Sequence, residues 1–248
     1  MSGSTLRGVV FDLDGTLYEL GARKARMALL LWRELGLLRR LQPVRRSLRG
    51  RVFASREELL GEMYSRLASR AGVEPERAAR WYRERFLAEF VRLLRRRAKT
   101  RPGLEGLLKS LRRQGIRLAV LSDYGMVEER LEALGIDPSL FDEIAAMEDW
   151  GVLKPAGSPL RDISGKWGVE PSGVIVVGDR LELDGRSAEE AGMDFVGVAG
   201  RPQAEETRWS RWKDVAALLE RRAAQSEATF TGRSTGDDGS APMRDVVE

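Results

Sequence analysis

Asp12 and Asp14 stand one residue apart at the end of a short apolar run, Val9-Val10-Phe11, and are followed by Gly15 and Thr16. Strand residues two apart share a face, so both carboxylates can reach one site at the strand's carboxyl end. Two carboxylates that close repel each other, and a hard cation such as Mg²⁺, which prefers oxygen ligands, relieves that cost. An aspartate can attack phosphorus and form an aspartyl-phosphate that water later cleaves. A second carboxylic acid two residues on can protonate the leaving oxygen and then activate the water. Taken alone, the stretch has a plainer reading as a polar turn, because Asp-Gly is a common turn former.

Three more polar signatures follow apolar runs. Ser122-Asp123 comes after Ile116–Leu121, and Lys154 precedes Pro155 beyond the run Phe141–Met147. Gly178-Asp179, with Asp184 shortly after, follows Val174–Val177. Acids for a divalent metal, a carboxylate that can attack, a hydroxyl and an ammonium are the partners a phosphate group needs. Histidine and cysteine are both absent. Their absence excludes His-based triads, His-ligated zinc, thiolate chemistry and disulfides, and makes the cytoplasm the expected compartment.

These groups must be positioned by the elements around them. The run ending at Phe11 is short, continuous and β-branched, as expected of a strand buried on both faces of a parallel sheet. Similar strands are predicted over Ile116–Leu121, Phe141–Met147, Val174–Val177 and Phe195–Val198. Helices are predicted over Leu104–Leu111 with Gly115 as stop, Val127–Leu134 with Gly135 as stop, Leu160–Trp167, Ser187–Ala191 and Trp209–Arg222. The alternation predicts a doubly wound parallel α/β sheet, Rossmann-like, with every strand's carboxyl end on one edge. Between the first two strands lies an all-helical insertion. Lys24–Leu41 reads as a helix stopped before Pro43, Arg56–Ala71 as a second with Gly72 as stop, and Pro75 opens a third that runs to about Arg97. In that third helix Ala78, Tyr82, Phe86, Phe90 and Leu94 recur at steps of about four, which assigns them, with Trp81, to a core rather than to a ligand.

Four such signatures in this order resemble the haloacid dehalogenase-like hydrolase superfamily, in its phosphatase branch with a helical cap inserted after the first motif. The resemblance implies that Asp12 is the nucleophile and Asp14 the general acid/base. It further implies that Gly15, Thr16, Ser122, Asp123 and Lys154 bind the substrate phosphate, and that Asp12, Asp14 (through its main-chain carbonyl) and Asp179 hold Mg²⁺ with Asp184 supporting. Asp123 stands where Asn is frequent in the family, and a further carboxylate beside a phosphate is unfavourable, so its side chain is expected to face away. The segment Lys154–Pro159 is one residue longer than the usual spacing between its prolines. Arg180 replaces a small residue and is expected to pair with Glu182 or Asp184.

The division that follows is 1–17 and 100–222 as the α/β hydrolase core and 18–99 as the cap. The Ser-, Thr-, Gly- and Asp-rich stretch 223–248 is expected to be a disordered tail. The implied activity is a Mg²⁺-dependent phosphatase of a small phosphorylated metabolite, phosphoglycolate phosphatase-like. Asp14 argues against the dehalogenase branch, which needs no acid there. A phosphomutase shares the core motifs, and a phosphonate hydrolase would need a cap lysine, for which only Lys24 and Lys99 are present. A reading of another class is a non-catalytic regulatory or nucleic-acid-binding protein. Net charge is only +4, but between Leu17 and Lys99 there are 22 Lys and Arg against 9 Asp and Glu. The intact acids at every motif make nucleic acid the less favoured partner. No apolar run approaches the ~20 residues of a membrane span, and the N-terminus lacks a signal-peptide pattern.

Overall fold

A computed structural model describes residues 5–19, 27, 29–198 and 209–231. Among them six strands form one parallel sheet: β1 (Gly8–Phe11), β2 (Arg117–Ser122), β3 (Glu143–Ala146), β4 (Val174–Gly178), β5 (Asp194–Val198) and β6 (Trp209–Ser210). Their order is β3-β2-β1-β4-β5-β6. The chain thus winds outward from β1 to β3, then returns to β4 on the other side. The reversal opens a crevice at the carboxyl ends of β1 and β4, where open α/β sheets bind ligands. In register, Phe11 lies beside both Val120 and Val177.

Both faces of the sheet are covered, as the unbroken apolar runs require. Val9, Phe11, Leu118, Val120, Ile175 and Val177 point into one apolar cluster, and Val10, Ala119, Leu121, Val174 and Val176 into the other. The helices that cover these faces are α5 (Leu104–Arg113), α6 (Val127–Ala133), α7 (Ser158–Lys166), α8 (Arg186–Ala191) and α9 (Trp212–Thr231).

Among the described residues, the insertion after β1 carries α1 (Leu35–Leu48), α2 (Arg56–Ala71), α3 (Pro75–Arg80) and α4 (Leu87–Arg97). α2 is capped by Ser55 Oγ on the Glu58 backbone N–H and stops at Gly72, in the left-handed region at φ 67°. Pro75 takes the first turn of α3. A π-helical segment, Trp81–Phe86, joins α3 to α4 and keeps Tyr82, Phe86 and Phe90 on the buried face. The insertion shares one apolar cluster with the sheet. Its entry and exit strands meet as well. Tyr18 bridges Thr100 antiparallel, and the Arg101 backbone N–H donates to the Leu17 carbonyl at 2.9 Å.

Three expectations are corrected. Pro43 does not end a helix but lies inside α1. Pro43 forgoes one hydrogen bond there, and burial of Leu41, Val44, Arg45 and Leu48 carries the helix past it. The segment before it is a 3-10 turn, Trp32–Glu34, rather than a continuous helix from Lys24, a residue outside those described. The final helix begins at Trp212 because Trp209–Ser210 adds a strand to β5. That helix runs to Thr231 instead of fading at Ala223, which is fully buried in the core. Residues 232–248 of the expected tail lie outside those described.

Candidate active site

The strand ends bring the polar signatures together. Asp12 follows β1, Ser122 closes β2 and Asp179 follows β4. Lys154 follows β3 by way of the 3-10 turn Met147–Trp150. Lys154 is buried, and its Nζ donates to Asp12 Oδ1 at 2.6 Å and lies 2.8 Å from Asp184 Oδ1. Thr16 Oγ1 donates to Asp12 Oδ2 at 2.9 Å, so both oxygens of that carboxylate are oriented. Gly15 carries φ 99°, a conformation that favours glycine, and lets the chain turn at once under Asp12.

One carboxylate oxygen each of Asp12, Asp179 and Asp184 lies within 4.8 Å of the others. Asp184 reaches this point because Gly178 has no side chain; a Cβ there would stand 2.4 Å from the Asp184 Cβ. Asp184 Oδ2 also accepts from the Arg180 backbone N–H at 3.1 Å. Burial pushes the Asp12 carboxyl up, Lys154 offsets part of that rise, and Asp184, Asp179 and Asp14 add to it, leaving it at about 8. Burial and Asp184 likewise raise Asp179 to about 7, against Lys154 and Arg180. Burial works to lower the Lys154 ammonium, but Asp12, Asp184 and Asp123 outweigh it and the net shift is upward. Two carboxylates pair with one ammonium here, and the third stands within 4.8 Å of them. An all-oxygen donor set with surplus negative charge fits a hard divalent cation.

Asp14 stands apart from that trio. Its Oδ1 accepts from the Tyr18 hydroxyl, and its Oδ2 accepts from Arg130 Nη1 at 2.8 Å and Ser122 Oγ at 3.3 Å. The metal set that the resemblance implies takes Asp14 by its main-chain carbonyl, and the side chains gathered here are those of Asp12, Asp179 and Asp184, the last the expected supporting residue. The Asp123 side chain is engaged on two sides. Its Oδ1 accepts from the Lys154 backbone N–H at 3.0 Å, and its Oδ2 lies 3.9 Å from Arg45 and 4.0 Å from Arg49. The carboxylate thus ties down the Lys154 segment. Arg180 pairs with Glu182 at 2.9 Å, one of the two expected partners.

Several participants were not singled out by sequence. Arg101, buried, donates to the Gly15 carbonyl at 2.8 Å and the Thr16 carbonyl at 3.1 Å, holding the loop beneath Asp12. Arg130 spans Asp14 and Ser122. Arg45, from the insertion, is buried against Glu148 at 2.7 Å, Tyr82 at 3.2 Å and the Asp123 carbonyl, over the face of Tyr124. Arg45 and Arg130 left the same trace in the sequence. Each sits on the apolar face of its helix, Arg45 beside Leu41, Val44 and Leu48 and Arg130 beside Val127 and Leu131. A charge at such a position must find a partner inside.

Comparison with known proteins agrees with this geometry. The family description "haloacid dehalogenase-like hydrolase" matches residues 6–192. The chain belongs to that family and is a hydrolase of the same fold. A glyceraldehyde 3-phosphate phosphatase from Methanopyrus kandleri is 30% identical over 210 residues, covering 78% of this chain and 84% of that protein. A phosphoglycolate phosphatase from Pasteurella multocida is 34% identical over 99 residues, 39% of this chain and 43% of that protein. Among solved structures, the putative HAD-hydrolase YfnB from Bacillus subtilis, bound to magnesium, aligns with a TM-score of 0.62 at 21% identity. That alignment spans 87% of this chain and 99% of YfnB, a likeness of fold.

Proposed function

We propose that this hydrolase is a Mg²⁺-dependent phosphatase acting on a small phosphorylated metabolite through an aspartyl-phosphate on Asp12. The observation that carries the reading is the trio Asp12, Asp179 and Asp184 at the crevice of the sheet, with Lys154 paired to Asp12 and Asp184. Phosphatases among the relatives support the reaction class, and the acid at Asp14 favours it over dehalogenation.

Asp12, Asp179 and Asp184 would hold the metal, with Asp14 adding its main-chain carbonyl. When bound, Mg²⁺ supplies charge neutralisation for the phosphoryl oxygens. Lys154 and Ser122 add an ammonium and a hydroxyl to the same group, stabilising charge as it builds in the transition state. Lys154 and Thr16 hold the Asp12 carboxylate, so little reorganisation precedes attack. An Asp12 oxygen bonds to phosphorus, the bond to the leaving oxygen breaks, and Asp14 gives that oxygen a proton. Asp14 then takes a proton from the water that cleaves the aspartyl-phosphate.

Residues 18–99 act as a cap on the core formed by 1–17 and the chain from 100 onward, with the paired strands at Tyr18 and Thr100 as the hinge. Closure of such a cap excludes water and selects substrate. The basic character of the cap suits an anionic small molecule and does not require nucleic acid.

The test is phosphate release from a panel of phosphorylated metabolites with and without Mg²⁺, with Asp12→Asn alongside. Metal-dependent release that falls below about a hundredth in Asp12→Asn is expected. A variant that keeps about a tenth or more of wild-type turnover removes Asp12 as nucleophile and overturns the reading.

A further inference from the structure

Arg130 lies in α6 with none of its side chain exposed. Its guanidinium donates from Nη1 to Asp14 Oδ2 at 2.8 Å and from Nη2 to Ser122 Oγ and the Tyr124 carbonyl, both at 2.7 Å. Nε donates to the Met126 carbonyl at 3.3 Å, anchoring the group to its own helix start. One planar fork therefore joins a side chain that follows β1 to one that closes β2. Lysine, a compact ammonium without the planar fork, does not reproduce this set of four bonds.

The hydrogen-bond inventory gives this fork a consequence. Ser122 Oγ has one proton and two lone pairs. Arg130 Nη2 and the Tyr124 backbone N–H, at 3.3 Å, both donate to it, so its own proton is left to be donated onward, here to Asp14 Oδ2. Asp14 Oδ2 thus accepts from both Arg130 and Ser122, and the carboxyl is held in one orientation between β1 and β2.

We infer that Arg130 is a positioning residue for proton transfer: by holding Asp14 Oδ2 beside Ser122 Oγ it fixes the carboxyl that exchanges a proton with the leaving group. The inference rests on the phosphatase reading above. In the step concerned an Asp12 oxygen bonds to phosphorus and the bond from phosphorus to the leaving alcohol oxygen breaks. The electron pair stays on that oxygen, and the Asp14 carboxyl proton moves to it.

Leaving-group dependence tests this. p-Nitrophenyl phosphate expels an anion that is stable without a proton, whereas an alkyl phosphate needs one. kcat/KM is measured for both, using the alkyl phosphate best hydrolysed by the wild type, in Arg130→Met and Arg130→Lys. The expected result is a loss at least about tenfold greater on the alkyl than on the aryl substrate in both variants. Equal losses on the two substrates overturn the inference and leave Arg130 a structural residue. Should Arg130→Met fail to fold, Arg130→Lys, which keeps the charge and most of the stem, decides. Absence of Mg²⁺-dependent turnover in the wild type is a separate result: it removes the phosphatase reading and the inference with it.

Discussion

Two charge clusters lie next to each other, linked through Asp123, and they are built on opposite principles. At the carboxyl edge of the sheet, Asp12 and Asp184 pair with the ammonium of Lys154, and Asp179 stands beside them. At the seam between insertion and core, the Arg45 guanidinium meets the Glu148 carboxylate at 2.7 Å, with the Tyr82 hydroxyl donating to the same carboxylate oxygen at 2.6 Å. Both Arg45 and Glu148 are almost wholly inaccessible to water. The seam is balanced and closed, and it has the form of a structural joint. The sheet edge is unbalanced, and burial first, with the neighbouring carboxylates adding to it, holds Asp12 and Asp179 far above the ordinary carboxylate range. Burial alone does not distinguish the two; uncompensated charge does, because it persists only where a ligand is to supply the remainder.

The largest expected effect is at the sheet edge. Lys154→Met removes the one cation among three acids, and turnover should fall by about 10²–10³, read as kcat on the best substrate of the metabolite panel. Arg45→Met should leave turnover per folded molecule within about tenfold of wild type while destabilising the fold by about 3–5 kcal/mol in urea denaturation, because it strands a buried carboxylate. Adding Glu148→Gln to that variant should recover part of the loss, since the two changes act on one pair. Arg45→Met with turnover as low as that of Lys154→Met would break the distinction between joint and catalytic cluster.

A smaller effect follows from titration. Asp12 and Asp179 have folded-state values above the unfolded ones, so the folded protein binds more protons between about 4 and about 8. Stability of the metal-free protein should therefore decline as pH rises through that window. Added Mg²⁺ should raise Tm more at the alkaline end of it than at the acid end. A Tm increment from Mg²⁺ that is the same at both ends would separate the metal from these carboxylates. The smallest effect is expected at Arg180, whose pair with Glu182 is 45% and 60% exposed. Arg180→Gln should change stability by less than about 1 kcal/mol in the same denaturation assay.

Much of the fold was legible because a parallel sheet buries both faces and its strands must be continuously apolar. Val174–Val177 and Ile116–Leu121 could hardly be anything else, and the polar residue ending each run marks where the chain leaves the sheet. Proline at 43 misled for the opposite reason: its local cost is small beside the burial of the turns that flank it. The two-residue strand β6 was too short to carry a pattern and exists only because β5 offers it an edge. At the candidate site, Asp12, Ser122, Lys154 and Asp179 were readable from type and place. Arg101 was not, and Arg45 and Arg130 left only their place on an apolar helix face, which calls for an inner partner without naming it.

Sequence alone therefore determined which chemical groups are present, that strands and helices alternate, and that the polar groups end up along one edge of the sheet, because alternation and crossover handedness leave little freedom in that arrangement. Tertiary structure alone decided how those groups divide. Asp184 joins Asp12 and Asp179, while Asp14 turns away toward Tyr18, Ser122 and Arg130. That division depends on contacts between residues more than a hundred positions apart, such as the 116 that separate Asp14 from Arg130. No local pattern encodes which of several nearby carboxylates a buried guanidinium will reach.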